Sequence, residues 1–390
     1  MDQKYSYVSY TRPDVTTSIE ALIDATRGWR PIGGRVIERF DFPGFLASHT
    51  ADLPLGDVVR PASPSVASVT DAIVDVLTRR DHMRGPVEDV RGNPEVVGKI
   101  ERCVADGLPV QVVIPSFPGR PCNPLTHQRV QPDLSEAYAF VRLHRIALDL
   151  RAVYEPGVTF VILLDGQVYN PFYGFPVEAE FQYPRDLEAQ VRALGVEQTV
   201  SFVDLQDLVD ERADEFAAVR AEVEPEIRAH WDDPVNPFRD ELVETMRLGT
   251  NTVAVNAAAV QLVKWRDRDA DEYQAAKLIR AMQDAVEERA RATAFAYMVF
   301  LVTLRRMDLI ASAFPRAIRG TVHPKPGQYS PWLVHPSTTI APWHGVAVIR
   351  PDGVVNTVYE SKLYERHADY RGVYLEGEYT PFYYEEVPQA

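Results

Sequence analysis

The sequence is poor in cysteine, with Cys103 and Cys122 as its two examples. Two cysteines form at most one bridge, so a disulfide framework and a cysteine-based zinc site are both excluded. Long apolar runs are missing too: the longest, residues 293–304, is too short to span a bilayer and has arginines on both sides. The start of the chain lacks the apolar segment of a secretory signal. We therefore expect a cytoplasmic protein without a membrane partner.

The chain also lacks a basic excess. Its 41 lysines and arginines are outnumbered by 56 aspartates and glutamates, and the formal net charge is -15 at pH 7. Because a nucleic-acid-binding protein needs cations to neutralise a phosphate backbone, we expect no nucleic-acid partner. A few clustered arginines and lysines can nevertheless bind one small phosphorylated substrate on an acidic protein.

Several familiar functional motifs are absent. There is no Walker loop, no Gly-x-Gly-x-x-Gly and no Gly-x-Ser-x-Gly. The spacing of His323, His335 and His344 matches no metal motif. His367 and Asp369 have the spacing of two iron ligands, but no later histidine completes a facial triad. We expect a protein that requires neither a metal nor another cofactor.

What the sequence does contain is an alternation of strand and helix patterns. Short apolar runs at 110–114, 159–164 and 199–203 are typical of buried parallel strands. Helical periodicity lies before and between them, at residues 66–79, 94–105, 133–153 and 185–194. This order predicts an α/β fold with a mostly parallel, Rossmann-like sheet flanked by helices.

The second half of the chain adds two further parts. Residues 205–312 are almost wholly helical in pattern, which predicts a helical insertion. Strand patterns follow at 318–323, 332–334 and 346–349, and Pro351-Asp-Gly353 predicts a hairpin that returns along 354–358. We divide the chain into an unassigned N-terminal extension, residues 1–65, and an α/β domain with this β-hairpin in its C-terminal part, residues 66–390.

The first motif, residues 117–123, is Phe-Pro-Gly-Arg-Pro-Cys-Asn. It follows a predicted strand and precedes a helix that begins with a capping box of Asp133 and Glu136. Ligands in open α/β sheets bind at the carboxyl ends of strands, where Arg120 would offer a bidentate fork to phosphate or carboxylate. A tight surface turn with a solvated arginine is the alternative that these residues alone slightly favour.

Three side chains able to carry positive charge follow the helical region. Arg319 and His323 lie on one face of a strand pattern, and Lys325 comes after the proline that ends it. These residues would line a cation-rich cleft. An exposed strand with two solvated cations and a structural histidine explains them equally well.

Two further pairs of residues are candidates for chemistry. Trp343 would form an apolar wall beside His344, a general base near neutral pH. A capping aromatic with a hydrogen-bonded histidine is the commoner arrangement. Asp165 and Gly166 most often make the turn of a hairpin. At the end of a buried strand, the Asp165 carboxylate would instead bind a substrate amine.

These motifs occur in a specific order along the chain, in segments 117–123, 132–136, 154–157, 164–166, 314–324 and 341–347. In order and wording they resemble the pyoverdine/dityrosine biosynthesis family, whose bacterial members include isocyanide synthases. The resemblance covers roughly residues 66–380. It implies a catalytic domain in which the amine of an amino acid condenses with ribulose-5-phosphate to give an isocyanide. It also leaves room for a downstream tailoring enzyme as a partner.

The resemblance implies which residues would bind the substrates. Arg120 and Lys325 would hold phosphate, and Arg319 would hold a carboxylate or phosphate. Asn123 and Trp343 would complete the binding set. The amino acid itself is not specified by these motifs, although an aromatic one is compatible with them.

Proton transfer would fall to His344 or His323, and Asp165 would orient the amine or act as a second base. The chain departs from the family pattern at two positions, where Arg120 replaces a lysine and Pro121 a serine. Arginine cannot form a covalent imine, because its guanidinium stays protonated. If the family lysine only holds phosphate, arginine would serve as well.

Two alternatives stay open at this point. The first is another amine condensation within the family, giving an N-formyl or N-acyl amino acid. The second is a small-molecule-binding relative that has kept the pocket and lost catalysis. Detection of an isocyanide product separates the first alternative from the main hypothesis, and sugar binding without consumption identifies the second.

Overall fold

The computed structural model describes residues 32–51, 65–121, 126–127, 129–175, 177–233, 236–250, 272–378 and 380–388. Asn123, one of the predicted binding residues, lies outside them. The helices are α1 (Phe42–Thr50), α2 (Val66–Leu77), α3 (Glu88–Arg91), α4 (Pro94–Asp106), α5 (Leu134–Val153), α6 (Gly166–Tyr173), α7 (Val177–Leu194), α8 (Leu205–Glu211), α9 (Ala213–Trp231), α10 (Pro237–Gly249), α11 (Glu272–Arg306), α12 (Leu309–Ala313) and α13 (Glu360–Glu365). The strands are β1 (Gly34–Ile37), β2 (Val110–Ser116), β3 (Val158–Leu164), β4 (Val200–Asp204), β5 (Ile318–Arg319), β6 (Val346–Ile349), β7 (Val355–Val358), β8 (Tyr370–Leu375) and β9 (Tyr383–Glu386).

The first sheet is wholly parallel, with strand order β4-β3-β2-β5. Alternate residues of β2 face different cores. Val112 and Ile114 pack in a cluster with residues of α4 and α5, while Val113 packs in a second cluster with residues of α6 and α11. A strand buried on both faces is apolar throughout, which is why short apolar runs in the sequence predicted these strands. The predicted α/β fold with a parallel sheet is confirmed.

The second sheet is mixed, with strand order β1-β8-β9-β6-β7. The hairpin predicted around Pro351-Asp-Gly353 forms, and Val346 of β6 pairs with Val358 of β7. Strand β9 runs parallel to β6 and antiparallel to β8. The C-terminal part of the chain therefore supplies most of a separate sheet.

Apolar periodicity and capping residues in the sequence predicted most of the helices close to their observed positions. Helix α5 begins with the predicted capping box: Ser135 N donates to Asp133 Oδ1 at 2.6 Å, and Asp133 N donates to Glu136 Oε2 at 2.9 Å. The helical region from α8 to α12 also forms, although residues 251–271 lie outside the described part of the chain. None of the described helices is both long and apolar enough to cross a bilayer.

The strand predicted at 318–323 is much shorter than expected. It ends at Arg319 because the chain then bonds back on itself: Thr321 N donates to Tyr329 O at 2.9 Å, and Tyr329 N donates to Arg319 O at 3.1 Å. Arg319 and His323 therefore do not share a strand face. The predicted strand at 332–334 is also wrong, because Trp332 N donates instead to His82 O at 2.8 Å, in a loop after α2.

The hairpin turn that Asp165 and Gly166 most often indicate is absent. Asp165 instead occupies the N-cap position of α6, and Tyr169 N donates to its carbonyl at 3.1 Å in the first helical turn. Strand β3 thus leads into a crossover, as its parallel partner β4 requires. The carboxylate stands at the carboxyl end of a buried strand.

Part of the predicted N-terminal extension packs on the rest of the protein. Strand β1 pairs in parallel with β8, and Gly34 lies opposite Gly372. Phe45 of α1 is 8% exposed and belongs to the same core as Tyr138 of α5, with ring centroids 6.3 Å apart. The division of the chain at residue 65 stays a prediction.

Candidate functional site

Four chain segments meet at the carboxyl edge of the parallel sheet. Strands β2, β3, β4 and β5 end there, at Ser116, Leu164, Asp204 and Arg319. Because parallel strands place their carboxyl ends at one edge, the first motif and Asp165 lie at the same edge as Arg319.

Five of the predicted residues form a continuous group at this edge. In each neighbouring pair, one residue is close enough to shift the pKa of the other; the pairs are His344 with His323, His323 with Lys325, Lys325 with Arg319, and Arg319 with Asp165. The structure therefore brings these residues together, although not through the shared strand face that the sequence predicted.

The group extends from an open rim to a buried floor. His323 and Lys325 are exposed, and Arg319 and His344 are partly buried. Asp165, at 7% exposed, is the most buried of the five. A substrate arriving from solvent would meet the cationic rim first and the carboxyl last.

Burial dominates the chemistry of Asp165. Desolvation is the main reason why its pKa is raised to about 7; Arg319 opposes the shift and Asp204 adds to it. Both protonation states are therefore accessible at neutral pH. Such a carboxyl can bind an amine when ionised or exchange a proton with it.

Two atoms of this group have no hydrogen-bond partner among the described residues. Asp165 Oδ1 is a buried acceptor, and Arg319 Nη1 is a buried donor. Buried polar atoms are normally paired, so a missing acceptor and a missing donor indicate a ligand that carries both. An amino acid zwitterion is a small molecule of this kind.

Three buried tyrosines lie close to Asp165, and burial together with the charge of Asp165 raises their pKa values. Tyr169 and Tyr173 come from α6, and Tyr297 comes from α11. The ring centroid of Tyr297 lies 5.3 Å from that of Tyr169 and 6.1 Å from that of Tyr173. Desolvation raises the pKa of Tyr173 to about 12, so its hydroxyl stays protonated. Together these rings make an aromatic wall with hydroxyl groups beside the carboxyl.

Arg120 lies inside a buried ion-pair network and not in the open site. Its side chain is 0% exposed. Nη1 donates to Glu136 Oε1 at 2.7 Å and to Pro342 O at 3.2 Å. Nη2 donates to Asp133 Oδ2 at 2.9 Å and to Gly345 O at 2.8 Å. Nε donates to the carbonyl of Arg129 at 3.2 Å. All five N–H groups are used, which does not fit the predicted phosphate contact.

The same network holds residues 341–347, the second motif loop, in place. Arg120 bonds the carbonyls on either side of Trp343-His344, and His127 Nε2 donates to the carbonyl of Trp343 at 2.7 Å. The Trp343 ring packs against Phe117, with centroids 4.8 Å apart. The tryptophan ring thus joins the two motif loops, and its role as an apolar wall of the site stays a prediction.

His344 lies next to this tryptophan. Burial, His323 and Arg120 together lower its pKa to about 4. Its imidazole is therefore neutral at neutral pH and able to accept a proton. The low value also means that His344 is a weak base, so it would act on a group whose acidity rises during the reaction.

Sequence reasoning missed several residues of the site. Asp204 ends β4 as Asp165 follows β3, and this shared position was a usable signal. Tyr169, four residues after Asp165, would have been found if α6 had been predicted. Arg84 lies beside His323 and donates to Val322 O at 3.1 Å, and nothing in its local sequence marks it.

Comparison with known proteins agrees with the resemblance seen in the sequence. L-tyrosine isonitrile synthase from Pseudomonas aeruginosa is 25% identical over 264 residues, covering 66% of this chain and 75% of that protein. L-tyrosine isonitrile synthase from Xenorhabdus nematophila is 22% identical over 257 residues, covering 64% and 71%. L-tryptophan isonitrile synthase from Fischerella ambigua is 20% identical over 259 residues, again covering 64% and 71%.

The fold is shared with the crystal structure of the PvcA protein from Pseudomonas aeruginosa. The TM-score is 0.54 at 22% identity, and the match covers 81% of this chain and 99% of that one. This likeness concerns the fold alone. A family model described as pyoverdine/dityrosine biosynthesis protein matches residues 100–370, a span that contains both motif loops and the whole group from Asp165 to His344. The chain therefore belongs to the pyoverdine/dityrosine biosynthesis protein family.

Proposed function

We propose that this protein is an isocyanide synthase that condenses the amine of an aromatic amino acid with ribulose-5-phosphate. Three relatives are named as isonitrile synthases of tyrosine or tryptophan. The proposed chemistry needs cations for phosphate and carboxylate, an acceptor for the amine and at least one base. The carboxyl edge of the sheet offers each of these groups.

The observation that carries the proposal is the pair of unpartnered atoms on Asp165 and Arg319. In this proposal Arg319 Nη1 binds the α-carboxylate, and Asp165 Oδ1 binds the α-amine of the same amino acid. The aromatic wall of Tyr169, Tyr173 and Tyr297 lies beside Asp165 and supports an aromatic side chain.

The exposed Lys325 and the half-buried Arg84 are proposed to hold the phosphate. Lys325 lies at the open rim next to Arg319, and Arg84 lies next to His323. The amine attacks the sugar ketone, and phosphate is eliminated as the sugar carbons are removed. His344, neutral behind Trp343, is proposed as the working base, with His323 as its neighbour at the rim.

The position of Arg120 supports retention of the family activity. A residue that forms a covalent imine has to face its substrate, whereas Arg120 is enclosed by Asp133, Glu136 and backbone carbonyls. The exchange of the family's lysine for arginine is then a change in a network that supports the site. We therefore keep Arg120 out of the proposed phosphate site.

Mass spectrometry tests the proposal directly. The protein is incubated with ribulose-5-phosphate and each standard amino acid, and isocyanide is trapped with a tetrazine. We expect an isocyanide from an aromatic amino acid, and its loss in Asp165→Asn and Arg319→Leu. Asp207→Asn, an exposed position on α8, is the matched control and should retain activity. An N-formyl or N-acyl product would reject the proposal, and so would sugar binding without turnover.

A further inference from the structure

A buried histidine and a buried carboxylate contact each other outside the group described above. His82, in the loop after α2, is 1% exposed, and Asp149 of α5 is 8% exposed. His82 Nδ1 donates to Val76 O at 2.8 Å, because a carbonyl can only accept. Nε2 lies 2.9 Å from Asp149 Oδ2 without the alignment of a hydrogen bond, so this contact is electrostatic. Arg79 Nη1 donates to the same carboxylate oxygen at 2.7 Å.

The backbone that follows His82 forms a short antiparallel bridge, which joins residues 82–84 to residues 330–332. Its two end hydrogen bonds are 2.8 Å long: Trp332 N donates to His82 O, and Arg84 N donates to Ser330 O. The two ends of this bridge differ in their surroundings. One end is fixed by the buried His82, and the other end carries Arg84.

Arg84 is the part of the bridge that reaches the rim of the site. Its Nη1 donates to Val322 O at 3.1 Å. A Cβ on the next residue, Gly85, would lie 3.1 Å from Pro324, in the middle of the cationic rim. Burial lowers the pKa of the Arg84 guanidinium, and none of the described carboxylates offsets this effect. The bridge therefore holds beside the rim an arginine that has donors left for an anion.

Helix α5 fixes both strands of the bridge. Asp149 contacts His82 on one strand. Arg142, two turns earlier on the same helix, donates through Nε to Trp332 O of the other strand at 3.4 Å, and through Nη2 to the carbonyl of Asp81. The helix that begins with the capping box bonded to Arg120 thus also determines where the bridge lies.

We propose that His82 and Asp149 are positioning residues that fix Arg84 at the rim. The inference rests on the proposed function, in which Arg84 holds phosphate. An arginine on a loose loop loses conformational entropy when it binds an anion, and anchoring the backbone two residues away lowers this cost in advance. Neither residue contacts a substrate in this proposal, and both act through Arg84. The simpler role, a buried pair that only stabilises the fold, makes different predictions.

A double-mutant cycle separates the two roles, because residues that act through one another are not additive. Ribulose-5-phosphate and L-tyrosine are titrated by calorimetry into wild type, His82→Leu, Arg84→Leu and the double variant. We expect each single change to weaken ribulose-5-phosphate binding about 10-fold, the loss of one hydrogen bond, and the double change to weaken it by the same factor. L-tyrosine should bind as in wild type. Asp75→Asn, 64% exposed on α2, is the control and should change neither affinity.

Amide hydrogen exchange gives a second readout that needs no ligand. Peptides that contain residues 82–84 and 330–332 should exchange faster in His82→Leu than in wild type, while β2 and β3 keep their protection. If His82→Leu does not fold, Asp149→Asn replaces it in both experiments, since this change keeps the side-chain size and leaves Arg79 its bond to Asp81. The same results are expected.

The outcomes that overturn the positioning role are specific. A double variant weakened about 100-fold, equal weakening for L-tyrosine, or unchanged exchange in the bridge would each reject it. A wild type that binds no ribulose-5-phosphate rejects the proposed function, and exchange alone then decides the positioning role. A protein that makes isocyanide but shows additive effects keeps the function and loses the inference.

Discussion

Arg120 holds the site together without a free donor to offer a substrate. Its guanidinium joins the first motif loop to Asp133 and Glu136 at the start of α5, and to the carbonyls of Pro342 and Gly345 in the second motif. A lysine here would have three donors in place of five. Arginine therefore secures both motif loops more completely, at the position where the resemblance leads one to expect lysine.

This arrangement predicts that Arg120 matters for stability. Arg120→Ala should lower the free energy of unfolding by ~3–5 kcal/mol, because it leaves two buried carboxylates without their cation. Arg120→Lys keeps the charge but loses donors to the carbonyls, and should lose ~1–3 kcal/mol. Urea unfolding curves measure both changes. Arg192→Ala, whose side chain is 60% exposed on α7, is the control and should change stability by less than about 0.5 kcal/mol.

One result would return Arg120 to the phosphate site: an Arg120→Ala protein that is as stable as wild type, binds ribulose-5-phosphate weakly and binds the amino acid normally.

The pKa values of Asp165 and His344 predict two separate rising limbs in the pH dependence of the rate. Asp165 must be ionised to bind an ammonium group, so kcat/KM for the amino acid should rise with pH through about 7. His344 must be neutral to accept a proton, so kcat should rise through about 4. Asp165→Asn should lose most of kcat/KM and leave no upper limb in the rate that remains, and His344→Gln should abolish the lower limb and reduce kcat ~100- to 10,000-fold.

Steady-state rates measured between pH 3.5 and 9, over a range where each protein stays folded by circular dichroism, decide the assignment. If the lower limb survives in His344→Gln, and only the melting temperature falls, His344 is a structural cap and His323 takes its role.

Helix α6 approaches the first motif loop so closely that its first residue has no room for a side chain. A Cβ on Gly166 would lie 2.5 Å from the carbonyl oxygen of Pro118. On the loop side, Phe117 is held at a φ of 61° while 1% exposed, a conformation that non-glycine residues rarely adopt. Strain at a packed loop of this kind is found where a loop serves a site. The helix and the loop therefore position each other.

Gly166→Ala should push this loop away from α6. We expect stability to fall by ~1–3 kcal/mol, as in overpacked sites, and kcat/KM to fall with it. The control is Gly98→Ala in the middle of α4, where the nearest heavy atom would be 3.7 Å away. That change should stabilise the protein by ~0.5–1 kcal/mol. Equal effects of the two substitutions would mean that the close approach at Gly166 carries no cost.

The whole molecule is acidic, yet several arginine and lysine side chains cluster at the carboxyl edge of its parallel sheet. With a formal net charge of -15, the surface repels anions at long range. Arg319 and Arg305 lie close enough to Lys325 to lower its pKa, and Glu241 opposes them. A small anionic substrate thus has a local reason to bind, while a long phosphate backbone does not.

Turnover should proceed without an added metal. The proposed reaction stabilises its anionic groups with Arg319, Lys325 and Arg84 and moves protons through His344 and Asp165, so the side chains can supply every charge it needs. The rate should be unchanged after exhaustive dialysis against a chelator. A loss of rate that one added metal restores would overturn this expectation.

The region before residue 65 should be needed for stability. A chain that begins at Val66 lacks β1, which pairs with β8, and Phe45, which packs in the main core. We expect its urea midpoint to fall clearly below that of a control chain that begins at Ile32 and keeps both elements. Equal midpoints would show that the predicted extension is dispensable.

The sequence by itself determined most of the local elements and the family. Apolar runs, the capping box at Asp133 and the turn at Pro351-Asp-Gly353 act over a few residues, and each formed as predicted. The parallel sheet followed from their order, because parallel partners require crossovers. Knowing that β3 ends before Asp165 was enough to place this carboxyl at the ligand-binding edge.

Only the tertiary structure decided where the individual candidate residues lie and what they contact. The groups bonded to Arg120 lie 9 to 225 positions away in sequence, so no local pattern could show that its donors are all used. Arg319 and His323 came together through a turn after a two-residue strand, not through strand alternation. The pKa of Asp165 rose because distant elements exclude water from it. Burial and charge proximity depend on residues remote in sequence, and only the folded chain brings these residues together.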